Sequence, residues 1–393
     1  MIVVAYGIAV LLPFLFLYLI YAQDLYGQGK FRFVLLAFGW GLAAYGLAYV
    51  ANTAIYRPLE SEFGRVQGYA LLTVFFAPIV EEILKSGILV GVLARRMTYF
   101  VDGAIYGFAA GIGFSVLENV VNLSREASGS AWLLAFLRTI STCLMHGSAS
   151  ALVGTAIGRF RYGRGGHRLL SAAAGWALAI GLHMIFNRVV SGRPGLATLL
   201  GTIGLGAGGL VLIVLFIRWG LAEEKRWIEE TMDIGVGVTH GEKAMVRQYD
   251  RIDDLLAPII ERFGDEKAEQ VESFVLKQAQ LGIKRKARSM SQGTREQEGL
   301  DAEIARLHTE MEALRKRVGV YCMSYVRTIF PEDALAMYTM LERLLPPDAL
   351  PAGDGILHRG LAAKIEQAEQ QAGPPDQDQS PAARGGLWDR LDV

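Results

Sequence analysis

The sequence predicts an all-α protein: a polytopic membrane helix bundle of about seven transmembrane helices, followed by a cytoplasmic α-helical domain and a disordered tail. Three observations carry this. Mean hydropathy is +0.30 with 52% apolar residues, above the usual content of a soluble chain. The apolar residues gather into long runs before about Trp219. Beyond that point the chain becomes charged with helical periodicity.

A spanning helix needs about 20 mostly apolar residues. Runs of that kind lie near residues 2–22, 33–55, 69–93, 100–121, 132–158, 169–190 and 198–217. The first has no basic residue before it and no clear cleavage site after it, so it is expected to be a retained anchor and not a secretory signal. Alternate loops carry eight basic residues on one side (Lys30, Arg32, Arg95, Arg96, Arg159, Arg161, Arg164, Arg168) and five on the other (Arg57, Arg65, Arg125, Arg188, Arg193). The positive-inside rule then puts the N-terminus outside and the charged C-terminal half in the cytoplasm of a cell (inner) membrane. Cys143 falls inside the membrane and Cys322 in the cytoplasm, so no disulfide joins them. The chain has 39 basic and 39 acidic residues, and no nucleic-acid partner is expected of it.

The most informative residues are Glu81, Glu82 and Lys85, in the apolar run Tyr69–Leu93. A charged residue at the centre of a membrane helix costs roughly 2.5–3.5 kcal/mol on insertion scales, so such a pair normally faces a bundle interior or a wet cavity. The fourth span adds Asp102 at its cytoplasmic end, Glu118 and Asn119 at its outer end, and Gly103, Gly107, Gly111 and Gly113 between them. The glycines suit close helix approach, and Asp102 suits either chemistry or a helix N-terminus. The fifth span holds Arg138 and His146, and the sixth holds His183 and Asn187 one turn apart. Each histidine alone fits a helix–helix hydrogen bond, and Asn187 alone fits a cap.

At about 1.5 Å of rise per residue, Glu81 and Glu82 lie about twelve residues from the outer surface, His146 about fourteen, His183 about seven and Glu118 about three. Four packed helices would therefore gather these carboxylates and imidazoles around an outward-opening cavity. Glutamate with histidine activates water, and histidine or asparagine can donate to a developing oxyanion. Lys85, at i+4 from Glu81 and i+3 from Glu82, can pair with either. Glu82 is expected to be the less surely paired of the two and hence the base, by a narrow margin. No metal or other cofactor is predicted outright; zinc on His146, His183 and Glu118 is the alternative, with no HExxH motif behind it. An aspartyl intramembrane protease would need two membrane aspartates and a GxGD element, whereas Gly111-Ile112-Gly113 precedes Phe114. A serine type is matched formally by Gly113-Phe114-Ser115-Val116 with His183 as partner.

In order, Glu81-Glu82-x-x-Lys85, Asp102-Gly103-x-x-Tyr106-Gly107, Phe114-x-x-x-Glu118-Asn119, His146 and His183-x-x-x-Asn187 resemble the PrsW-type intramembrane protease family over residues 65–190. That family is related to the CAAX prenyl endopeptidases and bacteriocin-processing enzymes. The resemblance implies a helix-bundle protease cleaving a membrane-anchored protein, an anti-sigma factor in the best understood cases. It assigns the active site to Glu81, Glu82, Lys85, Glu118, His146, His183 and Asn187; Asp102, Asn119 and Arg138, polar residues within the same spans, are expected in supporting places. The prenyl endopeptidases carry histidine where Glu118 stands, which separates this chain from that branch.

Residues 1–219 are thus expected to form the membrane bundle, 220–345 a cytoplasmic helical domain open to a protein partner, and 346–393 a disordered tail. Helix breaks are expected near Gly235-Val236-Gly237, Gly264, Ser291-Gln292-Gly293 and Pro331. Leu300, Ile304, Leu307, Met311, Leu314 and Val318 form a short heptad seam that suits packing within the domain better than a free coiled coil. The KRKAR run at 284–288 fits a solvated helix face, or else anionic lipid. The terminal Gly386–Leu391 fits a frayed end, or else a docking motif. The function expected is an intramembrane endopeptidase of bacterial, PrsW-like type, with a membrane-anchored protein substrate and the lipid bilayer as partners. The rival is a membrane scaffold or an ion- or proton-coupled transporter using the same buried groups.

Overall fold

A computed structural model describes residues 2–27, 29–125, 132–163, 165–192, 195–231 and 245–328. All regular elements among these are helical: α1 (Ile2–Tyr21), α2 (Phe31–Leu71), α3 (Ala77–Gly91), α4 (Phe100–Arg125), α5 (Trp132–Arg159), α6 (Gly165–Val190), α7 (Leu196–Thr231), α8 (Ile252–Phe263), α9 (Asp265–Met290), α10 (Thr294–Val318) and α11 (Val320–Thr328). Among the described residues five helices are long and apolar enough to cross a membrane, with Phe31–Gly91 counted as one. Tyr6–Tyr21 is apolar but shorter.

The Phe31–Gly91 stretch folds back on itself. Gly64 leaves helical geometry at φ 77° and ψ 166°, a left-handed conformation that glycine adopts without steric penalty. The chain then returns along its own path: the Tyr56 and Tyr69 rings meet edge to face at 6.1 Å, and the Trp40 indole donates to the Leu84 carbonyl at 2.8 Å. Between α2 and α3 lies a π-helical turn, Leu72–Phe76.

The bundle is built around α4. Of its most apolar window 94% is buried, and 83% of that of α5, against 28% for α6 and α7. Membrane helices lack a hydrophobic force between them and associate by close packing of small residues. A Cβ at Gly103 would lie 2.1 Å from the Gly154 carbonyl oxygen, one at Gly107 2.3 Å from that of Ser150, and one at Gly111 2.1 Å from that of His146. Gly103, Gly107 and Gly111 therefore serve backbone contact between α4 and α5, while Gly113 serves contact with Phe38 of α2. The apolar side chains of the outer helices, including Leu11, Leu47, Val50, Leu169, Leu178, Leu200 and Val211, point outward, as a lipid-facing surface requires.

Helices α8 to α11 pack on the end of the bundle formed by the α1–α2 connection, the segment before α4, the end of α5 and the end of α7. Tyr26, Tyr99, Phe100 and Trp227 enter one apolar core with Val271, Phe274, Leu307 and Leu314. The heptad residues Leu307, Met311, Leu314 and Val318 are buried in this core, with Ile304 packed against it, and Leu300 is buried as well. The expected breaks at Gly264 and Ser291–Gly293 are present, and a further one stands at Gly319, with φ 87°. Those at 235–237 and Pro331, the tail and its terminal motif lie outside the described residues. In the KRKAR run Lys284 reaches Thr98, Arg285 His308, Lys286 Glu230 and Arg288 Asp301, the last of these on an exposed face. Cys143 and Cys322 are both buried and unbridged.

Arg161, only 8% exposed, fastens this layer with two bonds to Glu296 Oε1, from Nε at 3.1 Å and Nη2 at 2.8 Å. Partial burial works to raise the Glu296 pKa, but the Arg161 and Ser291 hydrogen bonds outweigh it and hold the carboxyl below its ordinary range. A lowered folded-state pKa gives stability that is present above the unfolded value and is lost as pH falls through the folded one. Two outcomes are expected in thermal unfolding of detergent-purified protein. Gly107→Val overpacks the α4–α5 seam and destabilises by about 1–3 kcal/mol. Glu296→Gln costs about 1–3 kcal/mol at neutral pH, a difference from wild type that closes on acidification below the ordinary carboxylate range.

Candidate active site

Four helices converge on one polar centre. Pro78 occupies the first turn of α3, where a missing N–H costs nothing. From there α3 projects Glu81, Glu82 and Lys85 inward. Glu82 and Lys85 are fully buried and paired, Lys85 Nζ lying 2.6 Å from Glu82 Oε1. The same oxygen stands 2.8 Å from His183 Nδ1 of α6, and Ser150 of α5 donates to Glu82 Oε2 at 3.4 Å. Ser86 bonds back to the Glu82 carbonyl and receives the Trp176 indole N–H at 2.6 Å, which fixes the helix behind the pair.

In front of this pair lies a cavity of about 930 Å³, bordered by Glu81, Glu118, Asn52, Asn122, Asn187, Thr73 and the Tyr45, Tyr49, Tyr56 and Tyr69 rings. Its mouth, with Arg65, Val66 and Ser191, is at the end of the bundle opposite α8 to α11. Glu81 Oε1 accepts from Asn52 Nδ2 at 3.1 Å, and Oε2 lies 3.7 Å from His183 Nε2. Glu118 Oε2 is 2.5 Å from His146 Nε2. The two imidazoles stand edge to face, 4.8 Å apart, and Phe114 covers both His146, at 5.0 Å, and the Lys85 ammonium, at 4.7 Å.

Of the two adjacent carboxylates it is Glu82 that is paired, against the expectation that it would be the less surely paired one. Lys85 can reach either position by helical spacing, but it takes Glu82, which burial then makes dependent on its partners; Glu81 faces the cavity. Asn187 lines the cavity and donates to the Thr73 carbonyl at 2.9 Å, which belongs to the π turn. Asn119 turns away, to Cys143 Sγ at 3.3 Å. Asp102 is also apart from the centre, at the start of α4, where it accepts from the Thr98 N–H at 2.5 Å. Arg138 belongs to α5, its side chain lying outside what the structure describes. Ser115 bonds to the Ile112 carbonyl and Cys143, not to a histidine, so the serine-type arrangement does not form. Asn52, Ser150 and Trp176 were missed; the first two are polar residues inside apolar runs, the signal that marked the others.

Glu81, His146 and His183 bring one ligand atom each within 4.8 Å of one another. Two imidazoles and a carboxylate are a catalytic zinc donor set, and it differs from the expected set by having Glu81 in place of Glu118. His183 fits fully: its Nδ1–H is held by the Glu82 carboxylate, which leaves the Nε2 lone pair facing Glu81, as is usual behind a ligating histidine. His146 fits only after rearrangement. Lys85 Nζ, at 2.7 Å, donates to its Nδ1, which puts the ring proton on Nε2 against Glu118 Oε2, so ligation through Nε2 requires the Glu118 contact to be given up, the proton to pass to Nδ1 and the ammonium to withdraw from that nitrogen.

The segment from 29 to 219, which contains all of these residues, matches the family model described as PrsW family intramembrane metalloprotease. Residues 29–219 form a PrsW family domain. The chain is accordingly a membrane-embedded hydrolase, and the PrsW match extends beyond the motif region on both sides. No curated protein and no solved structure matches the chain.

Because Glu82 and Lys85 are buried together, removing one charge strands the other. Glu82→Gln in this PrsW domain is expected to lower unfolding stability by about 3–5 kcal/mol. The double variant Glu82→Gln/Lys85→Met is expected to recover much of that loss, as a denaturant titration of all the variants would measure.

Proposed function

We propose that the protein is an intramembrane endopeptidase that hydrolyses a peptide bond of a membrane-anchored protein within the cavity in front of Glu81 and Glu118. The observation that carries this is that Glu81 and Glu118 line that cavity and meet His146 and His183 just behind its wall, with Glu82 and Lys85 buried alongside. Seven crossings follow if α1 spans and the reversal at Gly64 divides Phe31–Gly91 in two. With the basic loops inside, the cavity opens to the outer face and α8 to α11 lie in the cytoplasm. The substrate class we assign, by family resemblance, is a single-span protein of the anti-sigma-factor kind.

Glu118 is the base in this reading. Its side chain is 29% exposed, against 0% for Glu82, so it can meet a water molecule in the cavity and take its proton. The water oxygen attacks the substrate carbonyl as that proton leaves, and the proton is then delivered to the departing nitrogen. His146, against Glu118 Oε2, orients that carboxylate. Asn187 has a second amide N–H beyond the one given to Thr73, and with it can meet the oxyanion. A zinc-type ion held by Glu81, His146 and His183 would polarise the water and the carbonyl, and with His146 Nε2 turned to the ion the histidine would no longer hold Glu118.

On a tagged single-span substrate, Glu118→Gln is expected to lower turnover by about 10²–10⁴-fold, and His183→Ala to abolish it, with both proteins purified intact. Should Glu82→Gln, Glu118→Gln and His183→Ala all yield the wild-type fragment at the wild-type rate, these residues are not the active site. Elemental analysis tests the metal separately. A stoichiometric transition metal in wild type that disappears in His146→Ala/His183→Ala is expected, and a metal-free protein whose activity survives chelator excludes the assignment.

A further inference from the structure

Asp102 belongs to a second polar centre, at the other end of α4 from the cavity. Its side chain is 1% exposed, and while Oδ2 accepts from the Thr98 N–H, Oδ1 is buried without a hydrogen-bond partner among the described residues. Glu224 of α7 is also 1% exposed, and its Oε2 is equally buried and unpartnered. It stands in the field of the Asp102 and Asp24 carboxylates. Asp24, in the α1–α2 connection, accepts from the Gly29 N–H at 2.6 Å. A Cβ at Gly29 would meet Asp24 Oδ2 at 2.9 Å and Asp102 Oδ1 at 3.5 Å, so both oxygens face the one point where that residue has no side chain.

Two buried carboxylates, Asp102 and Glu224, and the half-buried Asp24 thus come from three segments, and the ammonium of Lys284 of α9 acts on the first two. That ammonium already serves Thr98 Oγ1 at 2.8 Å and Glu303 Oε2 at 2.9 Å. A buried charge without a partner costs several kcal/mol, and two orphaned carboxylate oxygens in one place call for a positive occupant. Among the described residues the Glu81–His146–His183 set has three ligand atoms within 4.8 Å, and the junction carboxylates do not form such a set. They are spread too widely to grip a bare ion, but a cation that keeps part of its water shell can bridge them. Magnesium behaves in that way, dehydrating reluctantly and binding through one or two carboxylates plus water.

We propose that a hydrated magnesium ion binds between Asp24, Asp102 and Glu224, joining the α1–α2 connection, the start of α4 and the end of α7 beneath the layer of α8 to α11. The test is thermal unfolding of the full chain in uncharged detergent, titrated with Mg²⁺ from an EDTA-treated start. A His146→Ala/His183→Ala background removes the other metal candidate. Binding to the folded state alone raises the midpoint with ligand concentration, and a saturating rise of a few degrees is expected. Asp102→Asn and Glu224→Gln are expected to abolish the rise and to unfold in EDTA no lower than their parent, since each removes an unpartnered charge. The proposal is overturned if Mg²⁺ leaves the parent midpoint unchanged, or if both amide variants keep the full response. It is also overturned if both unfold lower in EDTA, which would mean that the carboxylates are satisfied without an ion.

Discussion

The Glu82–Lys85 pair with His183 is the contact on which the membrane domain is organised. A carboxylate and an ammonium, both without exposure to solvent, are tolerable in an apolar bundle only while they hold each other and while further donors complete the carboxylate. That need recruits α5 through Ser150 and α6 through His183, and it locks the His183 imidazole so that its other nitrogen faces Glu81. The position of Glu81 follows, since it is the neighbouring residue on the same helix and must project from an adjoining face. A buried pair that contributes little net stability thus decides which atoms reach the substrate side.

Close packing supplies the rest of the precision. The contact of α4 with α5 brings backbone against backbone along Gly103, Gly107 and Gly111, which leaves the two helices little freedom to slide or rotate. Glu118 on α4 and His146 on α5 can therefore hold a short contact across the interface. Groups positioned this way need no reorganisation when charge develops in a reaction, the feature that gives preorganised sites their effect.

Much of this was legible in the chain because the bilayer makes polar residues conspicuous. Glu81, Glu82, Lys85, Glu118, His146, His183 and Asn187 each break an apolar run, although counting rise per residue set Glu118 and His146, which touch, about 16 Å apart in depth. The partner of Lys85 was not legible, because i+3 and i+4 neighbours are equally near on a helix and only the surrounding helices decide. The same limit applied to the metal donor set, where Glu81 and Glu118 differ in placement and not in type. Asp102 was grouped with the site by its place in the motif order, although its depth, at the far end of α4, already set it apart. The contacts of the KRKAR run with Glu230, Asp301 and His308 depend on how α7, α9 and α10 pack, which no local pattern encodes.

The π turn at Leu72–Phe76 has a further consequence. Such a turn holds a residue more than regular helix would, and it survives in an apolar setting because the Asn187 amide satisfies the Thr73 carbonyl. Each residue advances a helix by about 100° around its axis. The angular phase of α3 is therefore set by this surplus residue. Without it, the face that now carries Glu81 and Glu82 inward would swing toward the lipid, and a single-residue deletion upstream would redirect the carboxylates without altering any of them.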